Sequence, residues 1–329
     1  MPQSSYIYAC ARIRCLENGL LSTSAIQRMA DGTLEDAMRM LADARYGGIP
    51  DASVSDVERM IDHEIGSASH EIRELSPDPK LTDLFLLYND VQNLKVLLKA
   101  RMLGDPETGW QPGGLYSREE LENSVRDQKY DLLPEEMQDM LNALESSLKV
   151  NVDPQQISVT LDQAYVKHCM NTAAASGSAF AMSYFRELAD YDNLLTFLRM
   201  RGADAAKEEM ARMLLPEGFL PLRGLIGTYD QPVESLLALV RDHPSRDSLR
   251  AGIEEVIRTG RVGALEKARD DRLISLVKEH RFDTDTIYPV LGYYLARLRE
   301  AQAIRLIITA KKNNLDDSVI AERLRSLYV

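Results

Sequence analysis

Apolar residues recur at steps of three and four along much of the chain. Over residues 84–98 they fall at Leu84, Leu87, Val91, Leu94 and Leu98, which lines one stripe of a helix. Upstream, Val57, Met60, Ile61, Ile65, Ala68, Ile72 and Leu75 keep the same spacing behind a cap region rich in Ser and Asp. "SPDPK" at 76–80 separates the two helices, because proline cannot continue a helix and biases its predecessor away from the α region. Helical spacing also runs through "YIYACARIRCLENGLLSTSAIQRMA" at the start and "TLEDAMRMLADARY", with Thr33 as its cap. It continues in "LLPEEMQDMLNALESSLK", with Pro134 at a helix start, then in "QPVESLLALV" and "DSLRAGIEEVIRTG". No sustained apolar alternation flanked by hairpin turns occurs, so the pattern predicts an all-α protein.

The helix pair is written more than once. "YNDVQNLKVLLKAR" returns as "YDNLLTFLRMR", with Asn93 and Asn193, then Arg101 and Arg201, at an offset of 100. "VERMID" at 57–62 and "ISVTLD" at 157–162 end in Asp62 and Asp162 at that same offset. A looser third copy has "LEKARD" ending in Asp270, then "LREAQAIRLIITAKKNN" at 298–314. There Glu300 falls under Asp90 and Asp190, Arg305 under Lys95, Lys311 under Arg101 and Arg201, and Ala303 replaces the asparagine. The turns between paired helices are "SPDPK", "ASGS" at 175–178 and "RFDTD" at 281–285. Gly/Pro-rich stretches at 104–114 and 214–224 suggest boundaries, giving helical units 1–108, 109–215 and 216–329. Three equivalent helix pairs suggest a pseudo-threefold body around a central socket.

Charge narrows the partners. The 329 residues carry 39 basic and 51 acidic side chains, a net charge of −12 that disfavours nucleic acid and broad docking on anionic lipid. The densest apolar stretch, 81–100, is interrupted by Asp83, Asn89, Asp90, Asn93 and Lys95, so no membrane span is expected. Without an apolar signal core, and with three cysteines (Cys10, Cys15, Cys169), the chain reads as cytosolic. The separation of Cys10 and Cys15 fits no standard metal or redox spacing. His63 and His70 stand seven apart, where a zincin needs four, and His168 beside Cys169 has no triad context. No P-loop or GxGxxG is present, so neither catalysis nor a cofactor or metal is expected. Trp110, in "GWQPGG", is either a partner anchor or a pin for its own loop. The recurring residues Asp62, Asn93, Lys95, Arg101, Asp162, Asn193, Arg201, Asp270, Arg305 and Lys311 are candidates for partner contact or for holding the repeats together. Stabilisation of the helix dipole, worth about 0.3–1 kcal/mol each, is the structural role expected of the basic ones.

Taken in order, "YIYACARIRCLENGLL", "TLEDAMRMLADARYGG", "VERMID", "YNDVQNLKVLLKAR", "ADYDNLLTFLRMRG" and "LREAQAIRLIITAKKNN" make the chain resemble the family of C subunits of V/A-type ATPases (ATP synthases), related to the d subunit of eukaryotic V-ATPases. The resemblance covers essentially the whole chain, with Asn93-Leu94-Lys95 as its sharpest match and Ala303 as its departure. It implies a funnel-shaped, non-catalytic central-stalk protein of three similar helical subdomains. Such a protein sits at the cytoplasmic face of the membrane proteolipid ring. Its socket receives the central shaft, made of subunits D and F, and it couples rotation to ion transport. A helical adapter unrelated to rotary ATPases is the competing expectation.

Overall fold

Short polar side chains and prolines set the helix starts. The computed structural model describes residues 5–49, 52–104, 106–148 and 153–329. Among the described residues there are sixteen α-helices and no strand, the all-α class expected. They run α1 (Tyr6–Glu17), α2 (Thr23–Asp31), α3 (Leu34–Asp43), α4 (Val57–Leu75), α5 (Pro79–Leu103), α6 (Arg118–Asp127), α7 (Glu135–Leu148) and α8 (Pro154–Ser176). The remainder are α9 (Ala179–Gly202), α10 (Lys207–Arg212), α11 (Leu222–Gly227), α12 (Ser235–Leu239), α13 (Arg246–Thr259), α14 (Gly263–Lys278), α15 (Tyr288–Lys312) and α16 (Asp317–Arg323). Ser5, Ser22, Thr33, Ser117, Asp153 and Ser178 each accept from a backbone N–H in the first turn of the helix that follows. Thr33 with Asp36, and Ser117 with Glu120, close full capping boxes. Each such cap contributes about 1 kcal/mol. The opening run is not continuous, because the chain turns at 18–22 between α1 and α2.

The chain divides into two compact units, Met1–Asp83 with Asp270–Val329, and Leu84–Arg269. In the first, α15 packs along α4, and α1, α2, α3 and α16 also pack on α15. Its core joins Ile26, Met29 and Leu41 to Met60, Ile61, Ile304 and Ile307, so helices from opposite ends of the sequence bury one another. In the second unit α8 packs on both α7 and α9. Leu194, Phe197, Leu225, Leu249, Ile253 and Leu265 form one buried cluster there. Phe85, Tyr165, Phe180, Tyr184 and Phe185 form an aromatic one. Burial of each such aliphatic or aromatic side chain is worth about 1.5–3 kcal/mol.

Candidate functional site

The repeated asparagines are clamps. Asn93 and Asn193 are both 1% exposed. Asn93 Nδ2 donates to the Gln111 carbonyl at 2.9 Å, and the Gln111 N–H donates to Asn93 Oδ1 at 2.7 Å. Asn193 repeats this with Leu215, at 2.9 and 2.6 Å. Pairing both backbone groups of one residue requires a side chain that donates and accepts at once, which an amide does and a carboxylate cannot.

One turn earlier a carboxylate holds the same loop. Asp90 accepts from the Leu115 N–H at 2.7 Å, and Asp190 from the Phe219 N–H at 2.7 Å and the Leu220 N–H at 3.1 Å. Gly114 and Gly218 permit the approach, since an added Cβ at either would lie 2.0 Å from the aspartate Oδ1. The two Gly/Pro segments that punctuate the sequence are therefore tied down onto α5 and α9.

The third copy completes itself from the N-terminus. Glu300 Oε2 accepts from the Leu21 N–H at 2.5 Å, in the turn between α1 and α2. Ser22 caps α2 as Ser117 caps α6, and that equivalence places Gly19 with Gly114 and Leu16 with Gln111. Leu16 lies inside α1, and its carbonyl accepts from the Gly19 N–H at 3.0 Å. No extended backbone stands there for an amide to pair with. This is the physical reason that Ala303, itself buried, replaces the asparagine without loss.

The recurring basic residues reach past their own helix ends. Arg101 donates to the Val125 carbonyl in the last turn of α6 and to Glu145, Arg201 to the Gln231 carbonyl beyond α11, and Lys311 to the Gly32 carbonyl that ends α2. Each satisfies a carbonyl at or beyond the end of the short helix that follows a clamp, a stronger tie than a dipole effect. Tyr130 donates to the same Glu145. Removing the guanidinium in Arg101→Met strands Glu145 and a carbonyl. A loss of about 2–3 kcal/mol in urea denaturation is expected, against about 1 kcal/mol for the more exposed Arg201→Met.

The repeated aspartates pair with neighbouring helices. Asp162 on α8 meets Lys95 on α5 at 2.5 Å. Asp62 on α4 lies 3.8 Å from Arg305 on α15, which also holds Glu58 at 2.9 Å. Asp270 takes Arg299 at 3.2 Å and Arg325 at 3.1 Å. Burial pushes the Asp162 carboxyl above its ordinary range, and Lys95 acts against the shift. Burial likewise raises Glu300, against Arg297.

Other candidates resolve into structural contacts. Trp110 carries the half-exposed Arg118 guanidinium over its ring at 5.0 Å. His63 and His70 are exposed on α4. His168 meets Glu136 at 2.9 Å. Burial would raise the Glu136 carboxyl, but hydrogen bonds from Asn171, a backbone N–H and His168 outweigh it and pull the group down to about 2. Sequence inspection missed one buried cluster. His243 lies 3.0 Å from Asp190, its Nδ1 accepts from the Ser245 N–H at 2.9 Å, and Ser245 Oγ donates to Glu187. The residue types suggest a hydrolase trio, yet the serine hydroxyl points at Glu187 and not at the imidazole. Only the Asp-x-x-Asn spacing shared by 90–93 and 190–193 hinted at these groups.

Within the second unit a cleft of about 490 Å³ opens between α5, α8 and α9, lined by Tyr88, Lys95, Lys99, Ser158, Asp162 and Arg199, among others. No group of three or more His, Cys, Asp or Glu suited to a metal occurs among the described residues, and no helix there is long and apolar enough to cross a membrane.

Repeated helix pairs, two fastened by side-chain clamps to the segment after them and the third to the N-terminal turn, define a helical-repeat protein whose recurring residues hold backbone and neighbouring helices of their own chain. The chain belongs to the ATP synthase (C/AC39) subunit family, which matches residues 9–323. That is the family of structural, non-catalytic C subunits of V/A-type ATPases. The chain is 24% identical over 331 residues to the C subunit of the A-type ATP synthase of Thermococcus kodakarensis, covering 96% of this chain and 89% of that one. It is 22% identical to the C subunit of the V-type sodium ATPase of Enterococcus hirae, covering 96% and 97%. Identity to the C subunit of the V-type ATP synthase of Thermus thermophilus is 24%, covering 93% and 94%.

Proposed function

We propose that the chain is a central-stalk subunit of a V/A-type rotary ATPase. It couples a shaft of subunits D and F to the membrane proteolipid ring at the cytoplasmic face. The observation that carries this is the span of the family match, 9–323, with every repeat landmark inside it. A body that transmits torque must be stiff. Loops fastened by paired amide and carboxylate contacts at 90–93 and 190–193 supply stiffness where Gly and Pro alone would leave hinges. We further propose three similar subdomains, 1–108, 109–215 and 216–329, in a pseudo-threefold funnel. The segment from Leu21 to Gly32, which holds α2, serves the third repeat through Glu300 and Lys311.

Native mass spectrometry of the chain mixed with the D–F pair of its own organism tests the reading. A one-to-one-to-one complex, lost when the lower end of the shaft is truncated, is expected. Failure to associate across a range of salt, both alone and with the ring present, would shift the assignment to an unrelated helical adapter. If Arg101, Arg201 and Lys311 also meet a partner, charge reversal at all three abolishes assembly under conditions where circular dichroism still reports a folded chain.

A further inference from the structure

The first two clamped loops are continuous with the helices that hold them. Residues 111–115 follow α5 in the chain, and 215–219 follow α9. The third copy lacks this continuity, since Leu21 is 279 residues from the Glu300 that holds it. Beyond α15 the chain runs through α16 and returns as residues 324–329, which have no regular secondary structure, to the head of α2.

That segment is fastened along its length. Arg325 Nε donates to Asp270 at 3.1 Å, and the Ser326 N–H to Asp271 at 2.7 Å. Lys278 Nζ donates to the Leu327 carbonyl at 2.9 Å. The main-chain oxygen of Val329 accepts from Thr23 twice, from its N–H at 3.1 Å and from its hydroxyl at 2.6 Å. Leu327 is buried in the core that holds Ile304 and Ile307, and Tyr328 is buried beside it in the chain. The Arg281 guanidinium lies over the Tyr328 ring at 5.2 Å. Gly292 of α15 makes room for that ring, since an added Cβ would meet the tyrosine hydroxyl at 2.7 Å and its ring carbons at 2.9 Å.

We propose that residues 324–329 are a releasable clasp on the head of α2, doing for the third repeat what chain continuity does for the other two. A covalent connection keeps the first two loops beside their clamps through every local fluctuation. The clasp holds by contacts alone. Every residue in it gives up backbone freedom to make them, and only Leu327 and Tyr328 among them are buried. It therefore opens locally, well below the free energy of global unfolding. On opening, the Thr23 N–H loses its acceptor at the first turn of α2, where no intrahelical carbonyl replaces it. Leu21, two residues before it, is left with the Glu300 carboxylate as its tie. The head of α2 then frays while the loops at 111–115 and 215–219 stay shut.

Residue-resolved hydrogen exchange on the full chain provides the test. Tyr328→Ala empties the seat of the ring, and Gly292→Ala fills it. Each is expected to speed exchange at Thr23 at least tenfold and at Leu21 at least threefold. The double variant exchanges within twofold of Tyr328→Ala alone, because the added methyl then has no ring to displace. Lys278→Met, at an exposed position that leaves the core intact, is expected to speed exchange at Thr23 about threefold. The amides of Gln111, Leu115, Leu215 and Phe219 stay within twofold of wild type in every variant. Faster exchange at Thr23 with Leu21 unchanged in the Tyr328 and Gly292 variants would mean that the segment detaches without loosening α2, which overturns the clasp. Equal acceleration at Leu215 and Phe219 would make the effect global, and unchanged exchange at Thr23 in all variants would show that 324–329 holds nothing. Either result overturns the clasp as well.

Discussion

Asn193→Asp is expected to destabilise the unit Leu84–Arg269 by about 3–5 kcal/mol, the range for breaking a buried polar pair and leaving charge uncompensated. The new carboxylate still accepts from the Leu215 N–H, but it faces the Leu215 carbonyl, which loses its donor at a site 1% exposed. Two oxygens then oppose each other without water. The introduced carboxyl regains a donor only by binding a proton, so its folded pKa rises above its unfolded one. Stability is therefore recovered as pH falls and lost as pH rises through that folded value. Urea midpoints followed by circular dichroism should show a deficit smaller at about pH 4 than at about pH 8. An unchanged midpoint for Asn193→Asp at neutral pH would rule out the clamp as a stabilising element. Asn93→Asp is expected to act in the same direction through Gln111. Ala303→Asn gains nothing, because the backbone opposite is already helical.

Gly218→Ala is the second large effect, about 2–4 kcal/mol, with Gly114→Ala close behind. The cause is space and not backbone conformation, since the added methyl would stand 2.0 Å from Asp190 Oδ1 or Asp90 Oδ1. The aspartate must swing away and release the loop N–H groups, and Asp190 would also shift from His243. Gly66→Ala is the control. Nothing lies within 4 Å of its added Cβ inside α4, so a gain of about 0.5–1 kcal/mol from helix propensity is expected. Thermal melts of the three variants distinguish the two outcomes. A loss for Gly66→Ala equal to that of Gly218→Ala would remove the steric explanation.

Much of the helical layout was legible because it is local. Periods of three and four, capping residues such as Thr33 and Ser117, and breakers such as the prolines at 77 and 79 act over a few residues, and the structure follows them. The repeat was legible for a related reason. Equivalent positions face equivalent neighbours, so Asn93 and Asn193 are selected by one geometry. What the geometry is did not follow. Asn93 meets a loop 18 residues on, Arg101 a carboxylate 44 residues on, and Lys311 a carbonyl 279 residues back. Spacing along a helix says which face a side chain occupies and nothing about which distant backbone group reaches it.

The chain by itself determined an all-helical protein, its threefold repetition, its acidic surface and the absence of a catalytic pattern, since each depends on composition or on contacts within one helical turn. Tertiary structure decided that the recurring asparagines, Arg101, Arg201 and Lys311 bind backbone of their own chain, that the recurring aspartates pair with its basic side chains, and that the N-terminal turn fills the place of the third loop. Those outcomes depend on which segments are brought together when apolar stripes from distant parts of the sequence bury one another. Burial then makes every unpaired polar group costly enough to fix the pairing.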